Sequence, residues 1–168
     1  IKSFHKDIVK DLFTKNRQSV LKIIDSVFNE IDKFLKLNKE NDYNFIYDQL
    51  VSYGEILSSV IISEYLNSIG IKSKWVDARS CIKTDQYYRD ANVDFEKTSK
   101  SIKRKIKGKG LFISQGFIGS NKKSFTTTLG REGSDYSAAI FAHALNAESV
   151  TIWKDVRGVL NADPRYFN

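Results

Sequence analysis

One stretch of the chain, residues 126–139, constrains the fold most strongly. It reads TTTLGREGSDYSAA and passes from threonines, through two glycines and an arginine, into an alanine-rich segment. Threonine favours strands, and Ser134-Asp135 is typical of a helix start, because serine caps helices and acidic side chains suit the positive end of the helix dipole. The pattern therefore predicts a strand, a short loop and a helix in immediate succession.

The loop of this unit carries residue types that suit an anion. Gly130 and Gly133 lack a Cβ, so the backbone can adopt unusual dihedrals and approach a ligand closely. Free N–H groups at a helix N-terminus bind anions, and Arg131 adds a planar fork for carboxylate or phosphate. On this segment alone, an ordinary glycine-containing loop before a helix is an equally good interpretation.

The hydrophobic pattern of the rest of the chain predicts an α/β order. Apolar residues spaced three and four apart predict one helix over residues 1–37 and another over residues 50–69, which Gly70 would end. The further predicted elements are a helix at about residues 94–107, a hairpin over residues 117–129, and strands at residues 73–77, 111–114 and 149–153. Asp155 then follows a strand, at the carboxyl end where open α/β sheets bind ligands.

The net charge of +7 comes from one segment of the chain. Residues 97–109, which we call the basic run, contain seven lysines and arginines and no acid. The rest of the chain has equal numbers of basic and acidic residues. Such a run can attract nucleic acid, yet no aromatic residue interleaves the lysines for base stacking. Ile102 and Ile106, four residues apart, instead indicate a helix that turns these two isoleucines inward and exposes the lysines to solvent. We therefore expect no nucleic-acid partner.

Composition narrows the class of protein. A chain of 168 residues, 41% of them hydrophobic, can bury the core of one domain. No apolar stretch approaches the ~18 residues of a membrane span, so no membrane association is expected. A single cysteine, Cys81, fits a reducing cytoplasm. His5 and His143 are isolated, so no metal site is predicted.

Three further motifs accompany the glycine-containing loop in a fixed order. They are SYGEILS at residues 52–58, QGFIGS at residues 115–120, and WKDVRGVLNADPR at residues 153–165. Together with TTTLGREGSDYSAA, these motifs resemble aspartokinase, a member of the amino-acid kinase family, over roughly residues 50–165. The resemblance implies an α/β fold of three α/β/α layers, the carbamate kinase-like amino-acid kinase fold, with a mainly parallel sheet that is incomplete in this chain.

The resemblance also implies a reaction. It is the phosphorylation of the side-chain carboxylate of L-aspartate by ATP with Mg²⁺, the first step toward lysine, threonine and methionine, in an enzyme that is a homo-oligomer when intact. Arg131 and Asp135 inherit catalytic roles. The implied substrate-binding residues are Glu55, Phe117, Arg131, Glu132, Gly133 and Ser134. The implied nucleotide-binding residues are Lys154, Asp155, Leu160 and Arg165.

The chemistry of an amino-acid substrate explains two of these residue types. Its ammonium needs an anionic partner, which Glu55 can supply, and its carboxylate needs a cationic partner, which Arg131 can supply. From sequence position alone, other interpretations remain open: Glu55 as an acid near a helix start, Asp155 as a turn former, and Phe117 as a core residue.

The chain also departs from the family pattern. Lys154, Leu160 and Glu132 stand where threonine, tyrosine and glycine are common, which puts the nucleotide contacts of the first two in doubt. The Lys-Phe-Gly-Gly strand, a later aspartate-binding threonine, the segment that follows ADPR and the C-terminal ACT regulatory domains have no counterpart in residues 1–168. We therefore expect part of a catalytic domain, inactive alone. The alternatives are another amino-acid kinase, or a non-catalytic folding or association fragment.

Overall fold

The computed structural model describes residues 1–155. In chain order the described elements are α1 (Lys2–Leu12), α2 (Arg17–Leu37), α3 (Tyr43–Ser68), β1 (Ser73–Val76), α4 (Ala78–Cys81), α5 (Phe95–Lys105), β2 (Leu111–Ser114), β3 (Ile118–Ser120), β4 (Thr126–Thr128) and α6 (Gly133–Leu145).

The N-terminal region forms two helices, so the prediction of one helix over residues 1–37 is wrong. The chain breaks before Asn16, which adopts a left-handed conformation that asparagine tolerates. Arg17 donates to the carbonyl oxygens of Lys10 and Phe13, which lack partners at the end of α1. Phe13 is buried in the break, and α1 and α2 both pack on α3. Residues 14–19 are all polar, but Phe13 and Val20 are seven residues apart, which is a helical spacing, so periodicity alone does not reveal the break.

The long helix α3 begins seven residues earlier than the pattern predicted. Asp42 caps it by accepting the backbone N–H of Asn44 at 2.8 Å. The predicted end is confirmed: Gly70 has a φ of 88°, and the amides of Gly70 and Ile71 donate to the carbonyls of Asn67 and Leu66. This pair of bonds is the Schellman motif.

Helices cover both faces of a parallel pair of strands, which confirms the three-layer α/β/α architecture. β1 and β2 pair in parallel, with Ser73 opposite Leu111. Trp75 donates its indole N–H to Ser59 Oγ of α3, on one face of the pair. The next residue, Val76, packs on the opposite face against a core that contains Ile102 of α5 and Ile140 of α6. Alternate residues of β1 therefore face different helical layers.

The predicted hairpin is confirmed as a second, antiparallel pair of strands. β3 and β4 pair with Ile118 opposite Thr128 and Ser120 opposite Thr126. The basic run lies largely on α5, where Ile102 is buried and Ile106, just beyond the helix, packs on the same core. The interpretation of the run as the outer face of a helix is therefore confirmed.

Two further predictions are wrong. Within the described part of the chain, residues 149–153 form no strand and are exposed. A strand requires a hydrogen-bonded neighbour, and the parallel pair of the described residues contains only β1 and β2. Asp155 therefore follows no strand. Ser134 is not the cap of α6: the helix already includes Gly133, and its cap residue is Glu132, in a left-handed conformation.

Candidate functional site

Glu55 lies in the middle of α3, not near its start. The helix begins twelve residues before it, so the interpretation of Glu55 as an acid that stabilises the helix dipole is wrong. The side chain is partly buried, and burial raises the pKa of its carboxyl group. Within residues 1–155 no side chain forms a hydrogen bond or ion pair with it. A partly desolvated carboxylate in this state favours a cationic partner.

The face of α3 that carries Glu55 is the face attached to the functional motifs. Asp48, Ser52, Glu55 and Ser59 recur at spacings of four, three and four, so they lie along one side of the helix. Ser59 Oγ accepts a bond from the side-chain amide of Gln115 at 2.6 Å, which ties α3 to the QGFIGS motif. Glu55 therefore lies one turn from the anchor at Gln115 and two turns from Asp48.

Asp48 is a buried carboxylate that the sequence analysis did not identify. It is 0% exposed, and its oxygens accept from the amide of Thr128 at 2.8 Å, the hydroxyl of Thr128 at 2.8 Å and the amide of Arg89 at 2.9 Å. Burial raises the pKa of Asp48, although these hydrogen bonds act in the opposite direction. Thr128 is the last residue of β4, two residues before Gly130, so Asp48 positions the start of the glycine-containing loop.

The next residue of α3, Gln49, pairs with the same strand. Its side-chain amide donates to the carbonyl of Thr126 at 2.8 Å and accepts from the amide of Thr126 at 3.0 Å. These two bonds replace those that a neighbouring strand would make with β4. The available sequence signal was a pair of polar residues, Asp48 and Gln49, seven and six residues before Glu55 of the SYGE motif. The predicted helix starts at residue 50 and leaves both residues outside it, so the sequence did not place them on the same helix as Glu55.

The QGFIGS motif and the GSD helix are joined through Phe117. This residue has a φ of 68°, and its amide donates to the hydroxyl of Ser137 on α6 at 2.9 Å. That hydroxyl donates in turn to the carbonyl of Gly133 at 2.8 Å. A Cβ on Gly133 would lie 2.7 Å from Cδ2 of Phe117. The missing side chain at Gly133 therefore accommodates the Phe117 ring.

Gly130 has a different structural reason for being glycine. Its φ is 74°, and a Cβ there would overlap with Oδ1 of Asp90. The following residue, Arg131, is exposed, and no described side chain pairs with it. The guanidinium is thus available at the surface of the loop.

The N-terminus of α6 combines free amides with a cluster of charges. Within residues 1–155, the amides of Ser134 and Asp135 have no acceptor, as at the open end of any helix. Lys154 contacts Asp135 at 2.7 Å and Glu132 at 3.1 Å. These carboxylates raise the pKa of Lys154. The cluster brings together three of the residues that the motifs singled out.

The remaining predicted residues are distributed as follows. Ser134 is exposed beside the cluster, and Asp155 is exposed at the end of the described chain. Leu160 and Arg165 lie outside the described residues. Over residues 1–155, no group of three or more histidine, cysteine, aspartate or glutamate side chains could hold a metal ion. No helix of that part of the chain has the length and apolar character of a membrane span.

Comparison with known proteins places these motifs in a family. The chain is 41% identical over 121 residues to lysine-sensitive aspartokinase 3 of Escherichia coli, an alignment that covers 70% of this chain and 27% of that protein. It is 38% identical over 129 residues to the chloroplastic aspartokinase 3 of Arabidopsis thaliana, covering 71% of this chain and 22% of that protein. The chain thus spans about a quarter of the length of these relatives.

Solved structures agree with the sequence matches. The crystal structure of E. coli aspartokinase III in complex with aspartate and ADP superposes with a TM-score of 0.83 at 34% identity, over 90% of this chain and 34% of that one. Residues 6–168 match the amino acid kinase family. With a match along nearly its whole length, the chain belongs to the amino acid kinase family.

Proposed function

We propose that the whole protein of which this chain forms part transfers the γ-phosphoryl group of ATP to the side-chain carboxylate of L-aspartate. The carboxylate oxygen attacks the γ-phosphorus, the bond to the β-phosphate oxygen breaks, and the products are 4-phospho-L-aspartate and ADP. Similarity to aspartokinases, one of them solved with aspartate and ADP, supports this reaction. Its place as the first step toward lysine, threonine and methionine is part of the same proposal.

The observation that carries the proposal is the state of Glu55. It is a partly buried acid with a raised pKa and no cationic partner among residues 1–155, on the side of α3 attached to Gln115 and Thr128. The ammonium group of an amino acid would supply the missing charge. Arg131, exposed on the adjoining loop, would hold the substrate α-carboxylate through a charge-assisted contact worth about 1.5–3 kcal/mol.

The residues at the start of α6 would complete the aspartate pocket and organise the transfer. The free amides of Ser134 and Asp135 suit an anionic group. Phe117 and Gly133, in mutual contact, would form one wall, and Glu132 would lie at the rim. The protein's contribution to phosphoryl transfer is mainly positioning and charge stabilisation, which this arrangement of fixed donors can supply.

The nucleotide would lie beyond this cluster, near Lys154, Asp155, Leu160 and Arg165. Mg²⁺ binds through one or two carboxylates together with substrate phosphates, and Asp135 and Asp155 are carboxylates of that kind near Lys154. These residues fit an ion delivered with ATP, which would neutralise charge on the phosphate oxygens. We further propose a homo-oligomeric, cytoplasmic enzyme.

Trapping of the acyl phosphate with hydroxylamine tests the proposal. The whole protein is incubated with Mg-ATP and L-aspartate, L-glutamate or N-acetyl-L-glutamate, beside the 168-residue chain alone. We expect hydroxamate from L-aspartate only, and none from the chain alone. Product from another substrate in place of aspartate would indicate a different amino-acid kinase. No product from any of the three would leave a non-catalytic role as the better account.

Arg131→Ala then tests the substrate contact. We expect the KM for aspartate to rise about tenfold or more while the KM for ATP changes little. Equal increases for both ligands would contradict the role assigned to Arg131.

A further inference from the structure

Part of the basic run lines a cavity that lies apart from the proposed active site. The cavity has a volume of about 500 Å³ and lies between α5, the residues that follow α4, and the turn of the β3–β4 hairpin. One acidic and five basic side chains line it: Asp94, Lys83, Lys97, Lys100, Arg104 and Lys122. Lys83 and Lys122 are distant from the basic run in sequence, so only the fold brings these cations together.

Acidic partners compensate only two of the five cations. Lys97 forms an ion pair with Asp94, and Lys100 pairs with Glu96 at 2.5 Å. Within residues 1–155, Lys83, Arg104 and Lys122 have no acidic partner within ion-pair distance. Three of the five cations therefore have no ion pair among the described residues, although Asp94 and Asp77 act on Lys122 and Lys83 at longer range.

Lys83 is held rigidly at the wall of this cavity. Its ammonium donates to the carbonyl of Arg79 at 2.7 Å and to Ser120 Oγ at 3.1 Å. Burial lowers the pKa of Lys83; the nearby Cys81 and Asp77 act in the opposite direction, and Arg104 and Lys105 add smaller lowering effects. A partly buried cation held in place by two hydrogen bonds is stabilised when an anion approaches.

The shape and lining of the cavity favour a small ligand over a nucleic-acid strand. No aromatic side chain of residues 1–155 lines it, so that part of the chain offers no platform for base stacking there. Its volume falls within the range of small-molecule sites. It adjoins Ser120 and Asn121 near the hairpin turn, whereas Phe117 and Gly133 meet at the base of the hairpin.

We propose that this cavity binds a small molecule that carries a diphosphate group. Arg104 supplies a planar fork for two phosphate oxygens, while Lys83 and Lys122 act as point charges on either side. The three cations that have no ion pair among residues 1–155 balance most of the charge of a diphosphate. The proposal does not depend on the identity of the phosphoryl acceptor at the active site.

Titration calorimetry with inorganic pyrophosphate at about 0.15 M salt tests the site in the whole protein, where surface attraction is largely screened. The variants are Arg104→Gln and Lys122→Gln. The matched control is Lys103→Gln, which removes one charge from the same helix but does not line the cavity. We expect saturable binding that each cavity variant weakens about tenfold, the loss of one charge-assisted contact, while the control changes it less than about twofold.

Three outcomes would overturn the proposal. They are no saturable binding of pyrophosphate, equal weakening by all three substitutions, and equal binding of citrate, which would remove the phosphate class. A Lys154→Thr variant separates this site from the proposed nucleotide site, and we expect it to bind pyrophosphate at the cavity like the wild type.

Discussion

Replacing Asp48 with alanine tests whether a buried carboxylate holds the strand that leads into the glycine-containing loop. The substitution leaves the amide and the hydroxyl of Thr128 without their acceptor, and Thr128 is 0% exposed. The amide of Arg89 also loses its acceptor, but that residue is exposed, so water can replace the bond.

The magnitude follows from the two buried donors. Each unsatisfied buried donor costs about 1–3 kcal/mol. The alanine variant no longer has to bury the Asp48 carboxylate, and this saved desolvation cost offsets part of the sum. We therefore expect the free energy of unfolding to fall by about 2–4 kcal/mol. Asp48→Asn is the matched control. Its carbonyl oxygen can accept both amides and its NH₂ group can donate to the Thr128 hydroxyl, so we expect a loss below about 1.5 kcal/mol.

Denaturant unfolding of the wild type and both variants measures these free energies through the shift in midpoint at a common slope. Hydrogen exchange at the amide of Thr128 should accelerate in the alanine variant and remain slow in the asparagine variant. If the whole protein has the proposed activity, the alanine variant should also lose more kcat/KM for aspartate than the asparagine variant does. An alanine variant as stable as the wild type, or an asparagine variant as unstable as the alanine variant, would refute the reasoning.

Three further substitutions, together with one control substitution, probe the site. Glu55→Gln should raise the KM for aspartate at least tenfold, with the KM for ATP unchanged, because in the proposed function this acid binds the substrate ammonium. In the wild type, kcat/KM for aspartate should fall as the pH is lowered through the pKa of Glu55, which burial raises above 4.5; Glu55→Gln should lack this acid limb, and a persisting limb would contradict the role. Gly133→Ala places a Cβ 2.7 Å from Cδ2 of Phe117 and should destabilise the fold by about 1–3 kcal/mol. Gly54→Ala, whose Cβ would meet no atom of residues 1–155 within 4 Å apart from its chain neighbours and its own helix backbone, should be neutral or stabilising by up to about 1 kcal/mol in the same unfolding assay. Lys154→Thr should raise the KM for ATP if the ammonium reaches a phosphate, and an unchanged KM would argue against that contact.

Local sequence determined the elements whose signals are complete within a few residues. The Schellman end of α3 at Gly70, the hairpin of β3 and β4, and the inward isoleucines of the basic run were all predicted, because turn chemistry and periodicity act over one or two turns. The four motifs in order also predicted the family. The same local signals failed where tertiary contacts decide, as at the break beside Phe13 and at residues 149–153, where a strand needs a partner that no local pattern supplies.

Only the tertiary structure decided how the chemical groups meet. Sequence singled out Glu55 but placed it near a helix start, whereas the fold places it in mid-helix beside contacts that span 56 and 80 residues, from Ser59 to Gln115 and from Asp48 to Thr128. Likewise, periodicity identified the basic run as the outer face of a helix, and only the fold shows that Lys83 and Lys122 lie beside its cations. Hydrogen bonding and charge act through space, so contacts between residues far apart in the chain leave no periodic trace in the sequence.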